Sequence, residues 1–284
     1  MKSHIVWIII FQLCAVALFA SSKHIYKQED IKKSLPFKQN TTDRKLVIDN
    51  VNGFIRIAGY HGNSIELTIH KTIRAKSESA GKQAEQEVKL DISANNNAVE
   101  LYVDGLFRRG DGRVNYRGWE FYGYEVTYDF EIQVPMDVDI WAKTINDGKI
   151  EIKQVSGDFD VENINGGILM ENMSGSGKAY ALNKGVTVYF DSNPEHESYF
   201  GSLNGDVRVY FKKPLSAEFR LKTFNGSVYS DFDVHSLTPR AFSEIEKAGK
   251  TVYKSDSFFG VAAGTGGPEI VLDAFNGDIF ILEH

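Results

Sequence analysis

One short phrase recurs along this chain and limits what it can fold into. It consists of an apolar residue, Asn-Gly or a near variant, one free position, then two β-formers separated by one residue. It reads TINDGKIEI at 144–152, NINGGILME at 163–171, LNKGVTVYF at 182–190, LNGDVRVYF at 203–211 and FNGSVYSDF at 224–232. Two outlying copies, VNGFIRIAG at 51–59 and FNGDIFILE at 275–283, bracket that run.

Asn and Gly both accept positive φ at little cost, so the pair is a strong turn signal, and Gly205 and Gly226 are expected at positive φ. After each turn the β-formers alternate: Ile150 and Ile152, Ile168 and Met170, Val207 and Val209, Ile279 and Ile281. Period two is the period of a strand, and it puts each pair on one face. The intervening Lys149, Glu151, Asp206 and Arg208 suit solvent. The same alternation precedes each turn, as at Phe159 and Val161 or Phe219 and Leu221. Each copy therefore reads strand, tight turn, strand.

The central asparagines Asn146, Asn165, Asn183, Asn204 and Asn225 recur every 18 to 21 residues. A period near 20 marks a stacked repeat, in which one unit cannot bury its apolar face alone. The copy at Asn183 has Lys184 where the others have Gly, and the copy at Asn146 carries Asp147 as an extra residue. Parallel stacking in a solenoid and a meander of hairpins both satisfy the phrase; the regular register favours the solenoid. The expected fold is all-β: a β-solenoid, β-helix-like, of ~20-residue Asn-Gly repeats with two short helical inserts. One insert is expected over Lys76–Val88, which is rich in Lys, Glu, Gln and Ala. The other follows Thr238-Pro239, where RAFSEIEKAG reads as a helix stopped at Gly249.

The run YEVTYDFEIQVPMDVDIWAKTINDGKIEI at 124–152, followed by QVSGDFDVENINGGI at 154–168, resembles the putative-adhesin family, a domain of unknown function related to the head GIN domain of bacterial surface proteins. Val134-Pro135, Val155-Ser156-Gly157 and Met173-Ser174-Gly175 match the family's strand ending and corner positions. Gly264-Thr265-Gly266-Gly267-Pro268 and the following EIVLDAFNGDI are similar to its usual ending. The resemblance spans about residues 45–284 and implies a β-solenoid in a cell-envelope setting, with no catalytic residues assigned.

Lys2 and His4 precede an apolar run from Ile5 to Ala20, broken by Gln12 and followed by Ser21-Ser22. Residues 1–22 read as a secretory signal peptide; a retained membrane anchor is the alternative, and the run is short for a span. Cys14 is the only cysteine. Leu13 before it lacks the small side chain a lipoprotein site needs, so the exported chain is expected without disulfides. Residues 23–44 read as a flexible leader containing Pro36 and the sequon Asn40-Thr41-Thr42, and 45–284 as one adhesin-like domain. The location expected is outside the cytoplasm: periplasm, cell surface or medium. The formal net charge of −6 argues against non-specific nucleic-acid binding, which needs a basic face.

No histidine stands in a metal-ligand spacing with another His or Cys, Glu195-His196-Glu197 being the nearest to a cluster. No nucleophile elbow or phosphate loop occurs, so neither a cofactor nor a catalytic residue is expected. Asp137/Asp139, Asp158/Asp160 and Asp231/Asp233 are acidic pairs sharing strand faces, which read as outward polar positions. The candidate recognition residues are Tyr116, Arg117, Trp119 and Tyr122, in a stretch from Arg113 to Tyr128 that is dense in aromatics for a chain 12% aromatic overall. Aromatic faces stack on sugar rings or apolar partners, and Arg offers a planar fork of donors. The function expected is non-catalytic binding or structural work, with a surface glycan or envelope protein as partner. The alternative is a polysaccharide-active solenoid enzyme, which would need carboxylates and basic residues on adjacent strands beside a cleft.

Overall fold

The structure, a computed structural model, describes residues 24–38, 43–111, 113–146, 148–238, 243–247, 250–254 and 258–284. The signal segment and the sequon lie outside the described residues. The described residues are all-β, with two long mixed sheets of ten and eleven strands, a two-stranded sheet and two short helices.

The Asn-Gly turns do not join hydrogen-bonded neighbours. Each carries the chain from a strand of the eleven-stranded sheet to a strand of the ten-stranded one, and a second corner brings it back. Asp139–Thr144 lies in the first, Ile150–Lys153 in the second, and Phe159–Asn163 returns to the first. Strands one unit apart pair in parallel: Ile150 opposite Ile168, Ile168 opposite Val186, Val186 opposite Val207. Equivalent residues therefore stand in rows between the sheets. Facing that row, Ile48, Ala142, Val161, Ala179, Phe200, Leu272 and Leu221 are in register and buried. Each of the larger side chains in the row, Val, Ile, Leu or Phe, contributes about 1.5–3 kcal/mol when fully buried. Ala179 makes room opposite Phe200 where Phe190, Phe200 and Phe211 crowd the interior, Phe190 stacking on Phe211 at 5.7 Å and meeting Phe200 edge-on at 5.9 Å.

The copy at 275–283 does not end the stack as its place in the sequence suggests. Ile279–Glu283 inserts between Val207–Phe211 and Val228–Ser230, and Glu269–Ala274 inserts between Ser198–Ser202 and Ala217–Thr223. The unit nearest the end of the stack is thus the one at 217–230, with Val228–Ser230 the edge of its sheet.

At the opposite end the pairing turns antiparallel. Ser64–Ala75 pairs antiparallel with Tyr124–Pro135 and with Ile25–Pro36. Ile25–Pro36 is twelve residues long and falls within the stretch read as a flexible leader, so that reading is corrected. As an edge strand it has one neighbour, and its register depends on Ile31 and Leu35 packing on the core. Its remaining positions are mostly charged and exposed, which hides the alternation in the sequence and also protects the edge.

The first expected helix is present at Glu78–Glu87, capped by Ser77, whose hydroxyl accepts from Ala80 N at 3.2 Å. The second is not. Ser243–Lys247 is a strand paired antiparallel with Lys250–Lys254. Helix propensity is a weak prior that pairing overrides, and Lys250–Lys254 contributes the β-formers Thr251, Val252 and Tyr253. The other helix is Trp119–Tyr122, a single turn bounded by Gly118 at φ 76° and Gly123 at φ 71°.

Candidate functional site

The helix Trp119–Tyr122 disperses the four residues singled out as a recognition patch. Tyr116 and Tyr122 lie with ring centroids 5.8 Å apart, half-buried and packed on the core, with Tyr124 5.6 Å beyond Tyr122. Tyr124 is itself buried and donates its hydroxyl to Glu87 at the end of the longer helix. Trp119 sits in another environment: the Arg74 guanidinium lies 4.4 Å from its ring centroid, Lys76 Nζ 5.6 Å, and the His24 ring meets it edge-on at 5.1 Å. Arg117 is exposed and covers Phe121 at 4.6 Å. The outermost aromatic of the segment is Phe121, 60% exposed, and it was not among the four. Arg108, in the same Arg-rich stretch, is structural: it forks onto both Asp49 carboxylate oxygens at 2.9 and 3.0 Å and stacks over Tyr102.

The asparagines of the phrase form a continuous side-chain ladder. Asn165 Nδ2 donates to Asn146 Oδ1 at 2.7 Å, Asn183 to Asn165 at 2.8 Å, Asn204 to Asn183 at 3.0 Å, Asn276 to Asn204 at 2.8 Å and Asn225 to Asn276 at 2.7 Å. At the far end Asn146 donates to Asn52, which donates to Val126 O. Among the glycines beside them Gly53 has positive φ, at 116°, whereas the others are needed for close approach and not for positive φ. Gly205 and Gly226 are absent from the positive-φ glycines, which corrects that expectation. A Cβ on Gly205 would lie 2.4 Å from Gly185 N, and one on Gly226 2.1 Å from Gly277 O.

The acidic pairs are likewise largely committed to the backbone. Asp139 Oδ1 accepts from Asp158 N at 2.9 Å, and Asp158 Oδ1 accepts from Ser176 N at 3.0 Å. Asp206 and Asp278 repeat the arrangement on the other sheet, accepting from Asp278 N and Ser227 N at 2.9 and 2.8 Å. Asp137 pairs with Arg44, and Asp231 accepts from Glu283 N. Glu195, His196 and Glu197 line an open depression with Gly267, Pro268 and Glu269. Among the described residues no group of three His, Cys, Asp or Glu is placed to hold a metal ion.

A groove of about 490 Å³ crosses the outer face of the ten-stranded sheet, lined by Arg56, Glu66, Glu131, Gln133, Glu151 and Lys153 among others. Arg56 Nε donates to Glu151 at 2.9 Å and its Nη1 reaches Glu131 at 3.5 Å. Burial pushes the Glu151 carboxyl up, but hydrogen bonds from Lys149 and Arg56 outweigh it and hold the group below its ordinary value. A third surface lies on the outer face of the eleven-stranded sheet, where Tyr180, Tyr199 and Asp273 surround Gly201. Sequence reasoning passed over it. The available signal was Gly201 inside a strand, which marks a place where something approaches the backbone closely.

No protein-family model matches the chain. No curated protein matches it. Among solved structures it is similar to a crystal structure of "a putative cell adhesion protein from Clostridium sporogenes", with 15% identity, covering 90% of this chain and 100% of the other at a TM-score of 0.37.

Proposed function

We propose that this chain is an exported, non-catalytic binding protein of the cell envelope or surface, built as a β-solenoid that displays a broad sheet face to a surface glycan. The parallel pairing of equivalent strands and the ladders of Asn and Gly support the solenoid reading. The observation that carries the functional reading is the use made of the recurrent acids. Asp139, Asp158, Asp206 and Asp278 each accept a backbone N–H from an adjacent unit, so the phrase that dominates the sequence builds a scaffold. Function then falls to the outward rows of side chains between these supports. Export rests on residues 1–22 of the sequence; among the described residues no helix is long and apolar enough to cross a membrane.

The second reading, a polysaccharide-active enzyme, is favoured by the groove with Glu66, Glu131, Glu151, Arg56 and Lys153 on neighbouring strands. Against it stands the pairing of Glu131 and Glu151 with the same arginine, which ties both carboxylates to a partner within the sheet face.

One set of experiments separates these. The chain recovered from cell fractions is sequenced from its N-terminus, and the purified protein is incubated with a panel of polysaccharides. An N-terminus near Ser21 or Lys23, with glycan retained and no new reducing ends, is the expected result. An intact Met1 in the cytoplasm overturns the export reading, and released reducing ends replace binding with catalysis.

A further inference from the structure

We infer that the outer face of the eleven-stranded sheet at Tyr199, Gly201, Asp273 and Lys222 is a subsite for one pyranose ring of an extended glycan. The inference deepens the binding reading above and rests on it.

Four parallel strands build the place. Tyr180 stands opposite Gly201, Gly201 opposite Asp273, and Asp273 opposite Lys222, so these residues form one outward row. Lys178, Tyr199, Val271 and Arg220 form the next. The residues between the rows, Ala179, Phe200, Leu272 and Leu221, point inward and are buried. Both rows are therefore fixed by the core beneath them, which gives a binding surface preset geometry.

Gly201 is the lowest point of its row, and Tyr199 uses the space. A Cβ on Gly201 would lie 2.6 Å from Tyr199 Oη and 2.7 Å from its Cε1. The tyrosine ring thus lies across the glycine along its own strand, and any larger residue there would push it away. Lying over the strand, the ring turns its other side outward. This distinguishes it from Tyr189 and Tyr210 on the opposite sheet, whose centroids are 4.1 Å apart at 13° and whose faces are spent on each other.

Two charged groups follow Gly201 along its row: Asp273 stands opposite it on the next strand, and Lys222 stands opposite Asp273. Burial holds the Asp273 carboxyl above its ordinary value, with Lys222 and the Tyr199 hydroxyl pulling it back. A carboxylate accepts through both oxygens, and an ammonium offers three donors. A pyranose ring matches this set: its C–H face covers an aromatic ring while its hydroxyls donate to a carboxylate and accept from an ammonium. Tyr180 and Lys178 continue the surface on one side, and on the other the Phe258 ring borders it, 5.2 Å from Lys222 Nζ and 5.4 Å from the Arg220 guanidinium.

The test uses the purified chain on an array of pyranose oligosaccharides, with cellohexaose, chitohexaose and mannohexaose as soluble probes. The wild-type protein is expected to retain at least one of them. Tyr199→Ala and Asp273→Asn should each weaken that binding by about tenfold or more, Tyr199→Phe by less, and Tyr189→Ala not at all. Far-UV circular dichroism and thermal midpoints are measured alongside. If Tyr199→Ala fails to fold, Asp273→Asn and Tyr199→Phe carry the test, since both keep the ring and the strand. Binding by wild type that all these variants share equally overturns this subsite and leaves the glycan-binding reading standing. Failure of the wild-type protein to bind any pyranose probe overturns both.

Discussion

Asn276 donates its side-chain Nδ2 to Oδ1 of Asn204 at 2.8 Å, across 72 residues of sequence, and receives the same bond from Asn225 on its other side. The contact places the last Asn-Gly copy between two earlier ones. The row Val207, Ile279, Val228 in one sheet and the row Phe200, Leu272, Leu221 in the other give the same order. Among the described residues Ile279–Glu283 is the strand partner of Val228–Ser230, so the end of the stack depends on the chain returning to fill the space.

The ladder predicts a graded response to asparagine removal. Asn204 both donates and accepts along the row, whereas Asn225 only donates to Asn276. A net contribution of about 0.5–1.5 kcal/mol per hydrogen bond gives Asn204→Ala a loss of about 1–3 kcal/mol and Asn225→Ala about half that. Equilibrium unfolding in urea measures both. Equal losses would mean the ladder is not a cooperative support.

Glycine in the turns is required by the neighbouring backbone. A Cβ on Gly148 would stand 2.1 Å from Gly53 O, whereas one on Gly110 meets nothing within 4 Å. Gly148→Ala is expected to destabilise by about 1–3 kcal/mol or more through overpacking. Gly110→Ala is expected to be neutral or to stabilise by up to about 1 kcal/mol, because it restricts the unfolded chain. Thermal midpoints of the two variants give the comparison directly.

Asp129 and Asp273 predict a dependence on pH. Burial is the main cause that raises both carboxyls above their ordinary values; the Phe54 N–H, His70 and Arg56 oppose it at Asp129, and Lys222 and Tyr199 at Asp273. A folded-state value above the unfolded one favours the folded protein below the unfolded pKa. That contribution is lost as pH rises through the folded value. Asp129→Asn and Asp273→Asn should therefore gain stability relative to wild type on going from about pH 3 to about pH 7. Denaturant midpoints at the two pH values decide it, and an unchanged difference would contradict the buried-carboxyl account.

The aromatic–arginine segment divides into support and surface. Tyr122 packs between Tyr116 and Tyr124 on the core, while Arg117 is exposed over Phe121. Tyr122→Ala should cost about 2–4 kcal/mol and lower expression. Arg117→Ala should change stability by no more than about 0.5 kcal/mol. Loss of glycan binding by Arg117→Ala with its fold intact would bring this segment into the recognition surface alongside Tyr199.

The sequence by itself determined the local architecture. Alternation at Ile150 and Ile152 or Val207 and Val209 decided which side chains face the core, because strand period and burial act over a few residues. The Asn-Gly pairs marked the corners, and the helix formers of Lys76–Val88 marked one helix. The tertiary structure alone decided how the pieces are ordered. Units that share one pattern are interchangeable as neighbours, so nothing local says that Asn276 stacks on Asn204 and not beyond Asn225. The same holds for the purpose of the glycines: a turn preference is visible in the residue pair, but the carbonyl that excludes a Cβ from Gly148 belongs to Gly53, far off in the chain. Ile25–Pro36 is a strand because Ser64–Ala75 pairs with it, and Asp273 comes beside Gly201 because Glu269–Ala274 stacks on Ser198–Ser202. Such pairings arise between segments distant in sequence, where neither propensity nor periodicity reaches.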